Sequence, residues 1–114
     1  MSFSWQGASG RWYEFDVARA KRQWQPVAGI YMFVKPGDYP TMEAGGPVCL
    51  FIAQTHSFAD ALARNEAWAP AQSLGAAEIH LVEIADPAAR AEIEHDLQRS
   101  HTPILNRPAA RAAA

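Results

Sequence analysis

The sequence has a single cysteine, Cys49, so no disulfide can close within the chain and no thiol cluster is on offer to a metal. Its four histidines, His56, His80, His95 and His101, show none of the spacings of a zinc site, which leaves them structural or surface roles. No stretch approaches the ~20 consecutive apolar residues of a membrane span. Met1 to Gln6 also lacks the basic start and apolar run of a secretory signal, so a soluble, cytoplasmic protein with no membrane partner is expected. A glycine-rich phosphate loop, a Ser-His-Asp signature and an internal repeat are likewise missing. Cys49, set in Val48-Cys49-Leu50, reads as a small core residue, since no base for a thiol nucleophile can be placed beside it.

What is present is 114 residues, 49% of them apolar and 19% charged, enough for one domain with its own core. The net charge of −2 excludes a protein that coats nucleic acid through bulk charge alone. The distribution is more informative. Residues 1–54 carry five basic and four acidic side chains, residues 55–98 two and eight, and residues 99–114 three and none. The acidic middle therefore has basic flanks, from which Arg19, Lys21, Arg22, Lys35, Arg99 and Arg107 could supply a local phosphate site or simply solubilise the surface. Trp24, beside Arg19, Lys21 and Arg22, would add a ring on which bases stack, although packing accounts for most tryptophans.

Period-two alternation over Trp12 to Val17 predicts a strand, after the turn-like Gly7-Ala8-Ser9-Gly10. Ala18 to Gln25 is short, ends before Pro26 and stays unassigned. Two apolar runs, Ala28 to Val34 and Pro47 to Gln54, predict antiparallel strands joined by an irregular hairpin loop over Asp38 to Gly46. Alternation places Tyr31 with Phe33 on one face, and Phe51 with Cys49 and Ala53 on one face, so the two aromatics meet across strands. Ser57-Phe58-Ala59-Asp60 resembles a capping box and predicts a helix to about Ala67, with a short turn or helix between Pro70 and Gly75. A strand over Glu78 to Ile84 follows. The clearest helix has Asp86 as N-cap and Pro87 at its first position, runs to about Ser100 and stops before Pro103. Residues 1–107 read as one domain of α+β class, a small mixed or antiparallel sheet flanked by helices, and residues 108–114 as a flexible Ala/Arg tail.

Gly29-Ile30-Tyr31 on one strand and Phe51-Ile52-Ala53-Gln54-Thr55 on the next resemble the two signature strands of the GIY-YIG nuclease superfamily. The first half of the signature is intact. The second reads Phe-Ile-Ala where the family has Tyr-Ile/Val-Gly. Glu94, Leu97, Pro103 and Asn106 are spaced as in the family's C-terminal helix and its exit, so the resemblance covers about 80 positions, from 28 to 107. It implies a GIY-YIG-like fold and a metal-dependent endonuclease site. Carried over position by position, Tyr31 matches the first-strand Tyr, Glu94 the carboxylate that holds Mg²⁺ or Mn²⁺, and Asn106 the supporting Asn. The second-strand Tyr falls on Phe51, the helical Arg on Ala61, and a His of some relatives on Asn65.

Phosphodiester hydrolysis needs a base for water, cations against the charge growing on phosphate, and a placed metal. Phe51 has no hydroxyl, and Ala61 has neither the charge nor the bidentate fork of an arginine. Losing one electrostatic donor costs about 10²–10³ in rate, and losing an acid or base about 10²–10⁴. Arg64, one turn on from Ala61, is the candidate replacement. Glu94 also has a plain alternative, a surface pair with Arg90 one turn earlier. Three readings follow. The first is a cleavage-impaired domain keeping weak metal and nucleic-acid binding, through Arg19, Lys21, Arg22, Trp24 and Lys35. The second is an active nuclease using Tyr31, Arg64, Glu94 and Asn106. The third is a module for a protein partner or a homo-oligomer, anchored by exposed tryptophans.

Overall fold

The computed structural model describes residues 1–19, 23–37 and 46–107. Five strands form one antiparallel sheet: β1 (Ser2–Gln6), β2 (Trp12–Ala18), β3 (Gly29–Lys35), β4 (Val48–Thr55) and β5 (Glu78–Glu83), in the spatial order β1-β2-β5-β3-β4. The helices are α1 (Phe58–Ala63), α2 (Trp68–Ser73) and α3 (Pro87–His101), followed by a 3-10 turn over Ile104–Asn106. The fold is α+β, as expected, and every strand pair is antiparallel. The hairpin loop expected over Asp38 to Gly46 falls mostly outside the described residues, as do the tail and part of the unassigned Ala18 to Gln25.

β3 is the strand that the rest encloses. Six of its seven residues are buried, because helices cover the sheet on both sides. One side holds Tyr31, Phe33, Phe51 and Leu81 with Phe58 of α1 and Ala71 of α2. The other holds Ile30, Met32 and Val34 with Trp5, Phe15, Ile52 and Leu97 of α3. Each fully buried Phe or Ile in these layers contributes about 1.5–3 kcal/mol relative to exposure. Gly29 begins the strand where β5 and α1 come closest: a Cβ there would stand 2.0 Å from the Val82 carbonyl oxygen and 2.5 Å from Phe58 Cζ. The first glycine of the signature is thus a packing requirement of this fold.

Four differences from the sequence reading have local causes. β1 is not among the expected strands, because its polar/apolar alternation spans only five residues, yet Phe3 and Trp5 pack on the core and the strand pairs with β2 from Ser2↔Asp16 to Gln6↔Trp12. In β4 the register slips, with Phe33 opposite Phe51 but Val34 opposite Cys49. The extra residue, Leu50, breaks the alternation, so Cys49 faces the α3 side while Leu50 and Phe51 both face α1 and α2. The predicted helix to Ala67 ends at Ala63, since the Asn65 side chain donates to the Ala61 carbonyl at 3.1 Å and accepts from the Ala67 N–H at 3.0 Å. Pro70 does not bound a helix but sits in the first turn of α2, where no N–H is needed.

The α1 cap is as expected, with the Ser57 hydroxyl accepting from the Asp60 N–H at 3.3 Å. α3 also begins as predicted on Asp86 and Pro87, and ends at Thr102 in the left-handed region, φ 39°. Its Asp96 fastens the β1–β2 turn. The carboxylate accepts from the Ser9 N–H (2.8 Å), the Ser9 hydroxyl (2.6 Å) and the Tyr13 hydroxyl (2.7 Å). Gly7 lies so close that a Cβ would fall 2.0 Å from Asp96 Oδ2.

Two predictions follow from this packing. Gly29→Ala should lower the urea midpoint by the equivalent of about 1–3 kcal/mol, the usual cost of overpacking, without changing the m-value. The hydrogen bonds from Ser9 and Tyr13 hold the Asp96 carboxyl below its ordinary pKa. Its contribution is therefore full above the unfolded value near ~4 and fades as pH falls through the lower folded value. Urea titrations of wild type and Asp96→Asn should show a constant stability gap at neutral pH that narrows below about pH 4.

Candidate functional site

Tyr31, Phe51, Arg64 and Asn65 line one cleft of about 320 Å³ on the α1/α2 side of the sheet. Strand alternation on β3 and the Leu50 bulge on β4 bring the first two together, with ring centroids 6.1 Å apart. The break after α1 brings the other two. Arg64 caps that helix in an extended conformation and so faces the cleft, whereas Ala61, where the family's Arg was expected, packs against the core. Asn65 Nδ2 donates to the Tyr31 hydroxyl at 2.8 Å. Nothing local singles out Asn65 except that the resemblance places it where some GIY-YIG proteins carry a His.

Glu94 lies elsewhere. Its carboxylate accepts from Gln98 Nε2 at 2.9 Å and is favoured further by the amides of Gln54, whose register partner Ile30 belongs to the α3 side. Half-burial raises its pKa in spite of those donors. The alternative pairing with Arg90 is not formed; Arg90 Nη1 instead donates to the carbonyls of Ile84 (3.0 Å) and Ala85 (2.9 Å). Glu94 is thus one carboxylate among amides, and among the described residues no group of three or more His, Cys, Asp or Glu could hold a metal. Such a site fits Mg²⁺ only with water and phosphate oxygens completing the shell.

Asn106 sits on the free edge of β4. Its Oδ1 accepts from the Ile52 N–H at 2.9 Å and its Nδ2 donates to the Ile52 carbonyl at 2.8 Å, so one amide side chain replaces the next strand. Its neighbour Leu105 packs into the Tyr31 and Phe51 layer. The C-terminal segment therefore crosses the edge of the sheet, from the side of Glu94 to the side of Tyr31.

The expected basic patch divides. Arg19 Nε pairs with Glu78 Oε2 at 3.0 Å, and Trp24 is half-buried beside it in a pocket. Lys35 is exposed, its stem close to Gly75, and Lys21 and Arg22 lie outside the described residues. Cys49 is buried, which pushes its thiol up to about 12 and removes it from thiolate chemistry.

Sequence reasoning missed a buried polar chain. Trp5 Nε1 donates to His80 Nδ1 at 2.9 Å, which puts the imidazole proton on Nε2, 3.1 Å from Glu78 Oε1. Burial lowers the His80 pKa against the opposing effect of Glu78. The alternation of Glu78 and His80 on one strand face was a readable signal; the contribution of Trp5, 75 residues away, was not.

Comparison with protein-family models and with curated proteins finds no match to this chain. No helix of the described residues is long and apolar enough to cross a membrane.

Asn106→Ala should cost about 1–3 kcal/mol, because it strands two backbone groups of Ile52. Faster hydrogen exchange at the Ile52 amide, beyond that of neighbouring β4 amides, is the expected local signature in NMR.

Proposed function

We propose that the chain is a GIY-YIG-like nuclease domain with a degenerate, cleavage-impaired site, which retains weak binding of nucleic-acid phosphate and of Mg²⁺ or Mn²⁺. The observation that carries this reading is the Asn65 to Tyr31 hydrogen bond, which pairs two positions that the resemblance assigns to one site. Arg64 in the same cleft offers a phosphate a planar fork of donors, against which the Glu66 carboxylate in that lining acts and keeps binding weak. Phe51 lacks the second hydroxyl, and Glu94 stands with Gln54 on the other side of the sheet from Tyr31. A metal bound at Glu94 would supply Lewis-acid stabilisation of phosphate charge. Without a second-strand hydroxyl and a helical Arg, the groups that activate water and absorb charge are not gathered around one phosphate. The cytoplasm is the proposed compartment, since one buried thiol suits a reducing environment.

A second reading, a module that binds a protein partner or a second copy, is favoured by Trp12, which is 65% exposed at the β1–β2 edge.

Cleavage assays on labelled single-stranded and duplex DNA and RNA with Mg²⁺ or Mn²⁺ test the proposal. Wild type should not cut, and Phe51→Tyr with Ala61→Arg should stay silent, because Glu94 remains on the far side of the sheet from Tyr31; salt-dependent binding of nucleic acid should persist and weaken in Arg64→Ala. Wild-type cutting lost in Glu94→Ala would overturn the impaired-site reading in favour of an active nuclease. Silence in every variant, with no salt-dependent binding of nucleic acid, would favour the interaction module.

A further inference from the structure

The α1/α2 side of the sheet is incompletely covered. α1 and α2 have six residues each, and part of the β5 and β2 face beyond them stays open. Two adjoining hollows lie over it, of about 320 and about 390 Å³, each within the size range of small-molecule sites. Strand pairing gives them a continuous floor. The row Ala18, Ile79 and Phe33 underlies the first, and the row two residues along, with Asp16 opposite Leu81, underlies the second. Trp24 lines both.

The two linings differ in chemistry. The first is aromatic and aliphatic, with Phe33 meeting Trp68 edge-on at 4.9 Å and Leu62 and Ile79 beside them. Its one cationic residue, Arg19, turns its guanidinium away, to Glu78 at 3.0 Å, which belongs with His80 and Trp5 on the opposite face of the sheet. Asn65 spends its amide on Tyr31, Ala61 and Ala67. The second hollow holds Asp16 and Glu83. Alternation sets both on this face, Asp16 with Ala18 and Glu83 with Leu81 and Ile79. Both are exposed, and among the described residues neither side chain has a hydrogen-bond or ion-pair partner. No described residue of that lining is basic.

Glu83 lies diagonally across the β2–β5 pair from Asp16, about 7–8 Å away by backbone, so one cation between them reaches both carboxylates. Two carboxylates are too few oxygen donors for a bare metal ion, whereas an ammonium with an apolar body uses the aromatic floor next to them as well. We infer that this groove binds an arylalkyl ammonium ion, its ring between Trp24 and Trp68 above Ile79 and its nitrogen donating to Asp16 and Glu83. The two floor rows are about 7 Å apart along the strands, a span that a two-carbon linker covers. Apolar walls supply affinity for the ring, and the carboxylates select the cation. Neither Tyr31 nor Arg64 takes part, so the site stands or falls independently of the nuclease reading.

The test uses 2-(2-naphthyl)ethylamine, with 2-(2-naphthyl)ethanol as the uncharged control, followed through the indole N–H signals of ¹⁵N-labelled protein. The expected result is saturable shifts of the Trp24 and Trp68 signals while that of Trp12 stays in place. Asp16→Asn combined with Glu83→Gln should weaken the amine by about fivefold and leave the alcohol unchanged, as for exposed charge-assisted bonds. Glu92→Gln, which removes an exposed charge from α3, should alter neither ligand and so separates a local site from attraction by net charge. Ala63→Phe, at an exposed position on the rim, should weaken both. No saturable shift at millimolar amine, shifts that include Trp12 equally, full amine affinity in the double variant, or an equal loss in Glu92→Gln would overturn the inference.

Discussion

The structure depends on β3 being enclosed on both faces. A strand with Ile30, Met32 and Val34 on one side and Tyr31 and Phe33 on the other has no face to give to water, so it requires two separate covers. α3 provides one, and the short pair α1 and α2 the other. Neighbouring strands must also come close enough to complete its ladder, which is why Gly29 meets the Val82 carbonyl without a side chain between them. The two cores share only the sheet, and polar fastenings keep their covers in place: Asp96 for α3 against the β1–β2 turn, Ser57 for the start of α1, and Asn106 for the exit of the C-terminal segment.

The candidate site inherits this division. Residues that the GIY-YIG resemblance would gather in one centre are spread around the β4 edge rather than set in a single pocket. Tyr31 and Arg64 share the cleft on one side, Glu94 is satisfied by amides on the other, and Asn106 bridges the edge between them. In this arrangement Glu94 and Asn106 do structural work that accounts for their places without catalysis. The hydroxyl of Tyr31, in contrast, is met by a side-chain amide that also ends α1, so the geometry of the cleft and the length of the helix are set by the same residue, Asn65.

The central strands and α3 were legible because their signals are local: dense β-branched and aromatic runs for β3 and β4, and Asp86-Pro87 for the helix start. β1 was not, since its alternation is only five residues long and rests on two apolar side chains, Phe3 and Trp5. The face of Cys49 was misread for a different reason. A bulge is decided by how two strands fit, and nothing in Val48-Cys49-Leu50-Phe51 announces that Leu50 is the unpaired residue. Pairings across the chain, such as Trp5 with His80 or Asp96 with Ser9, connect residues 75 and 87 positions apart and are beyond any window of sequence. Of the site, Tyr31, Phe51 and Arg64 were foreseen as near one another through alternation and helical spacing, while the Asn65 contact depends on where α1 stops.

The Asn106 clasp has a bearing on self-association. An outer strand as apolar as Cys49-Leu50-Phe51-Ile52 offers a template on which another extended chain can add, and proteins with such edges need something to blunt them. Here a single side chain occupies the donor and the acceptor at the middle of that edge, with Leu105 seated beside it. The same few residues that close the Tyr31 and Phe51 core therefore cover the middle of that edge, where another strand would otherwise add.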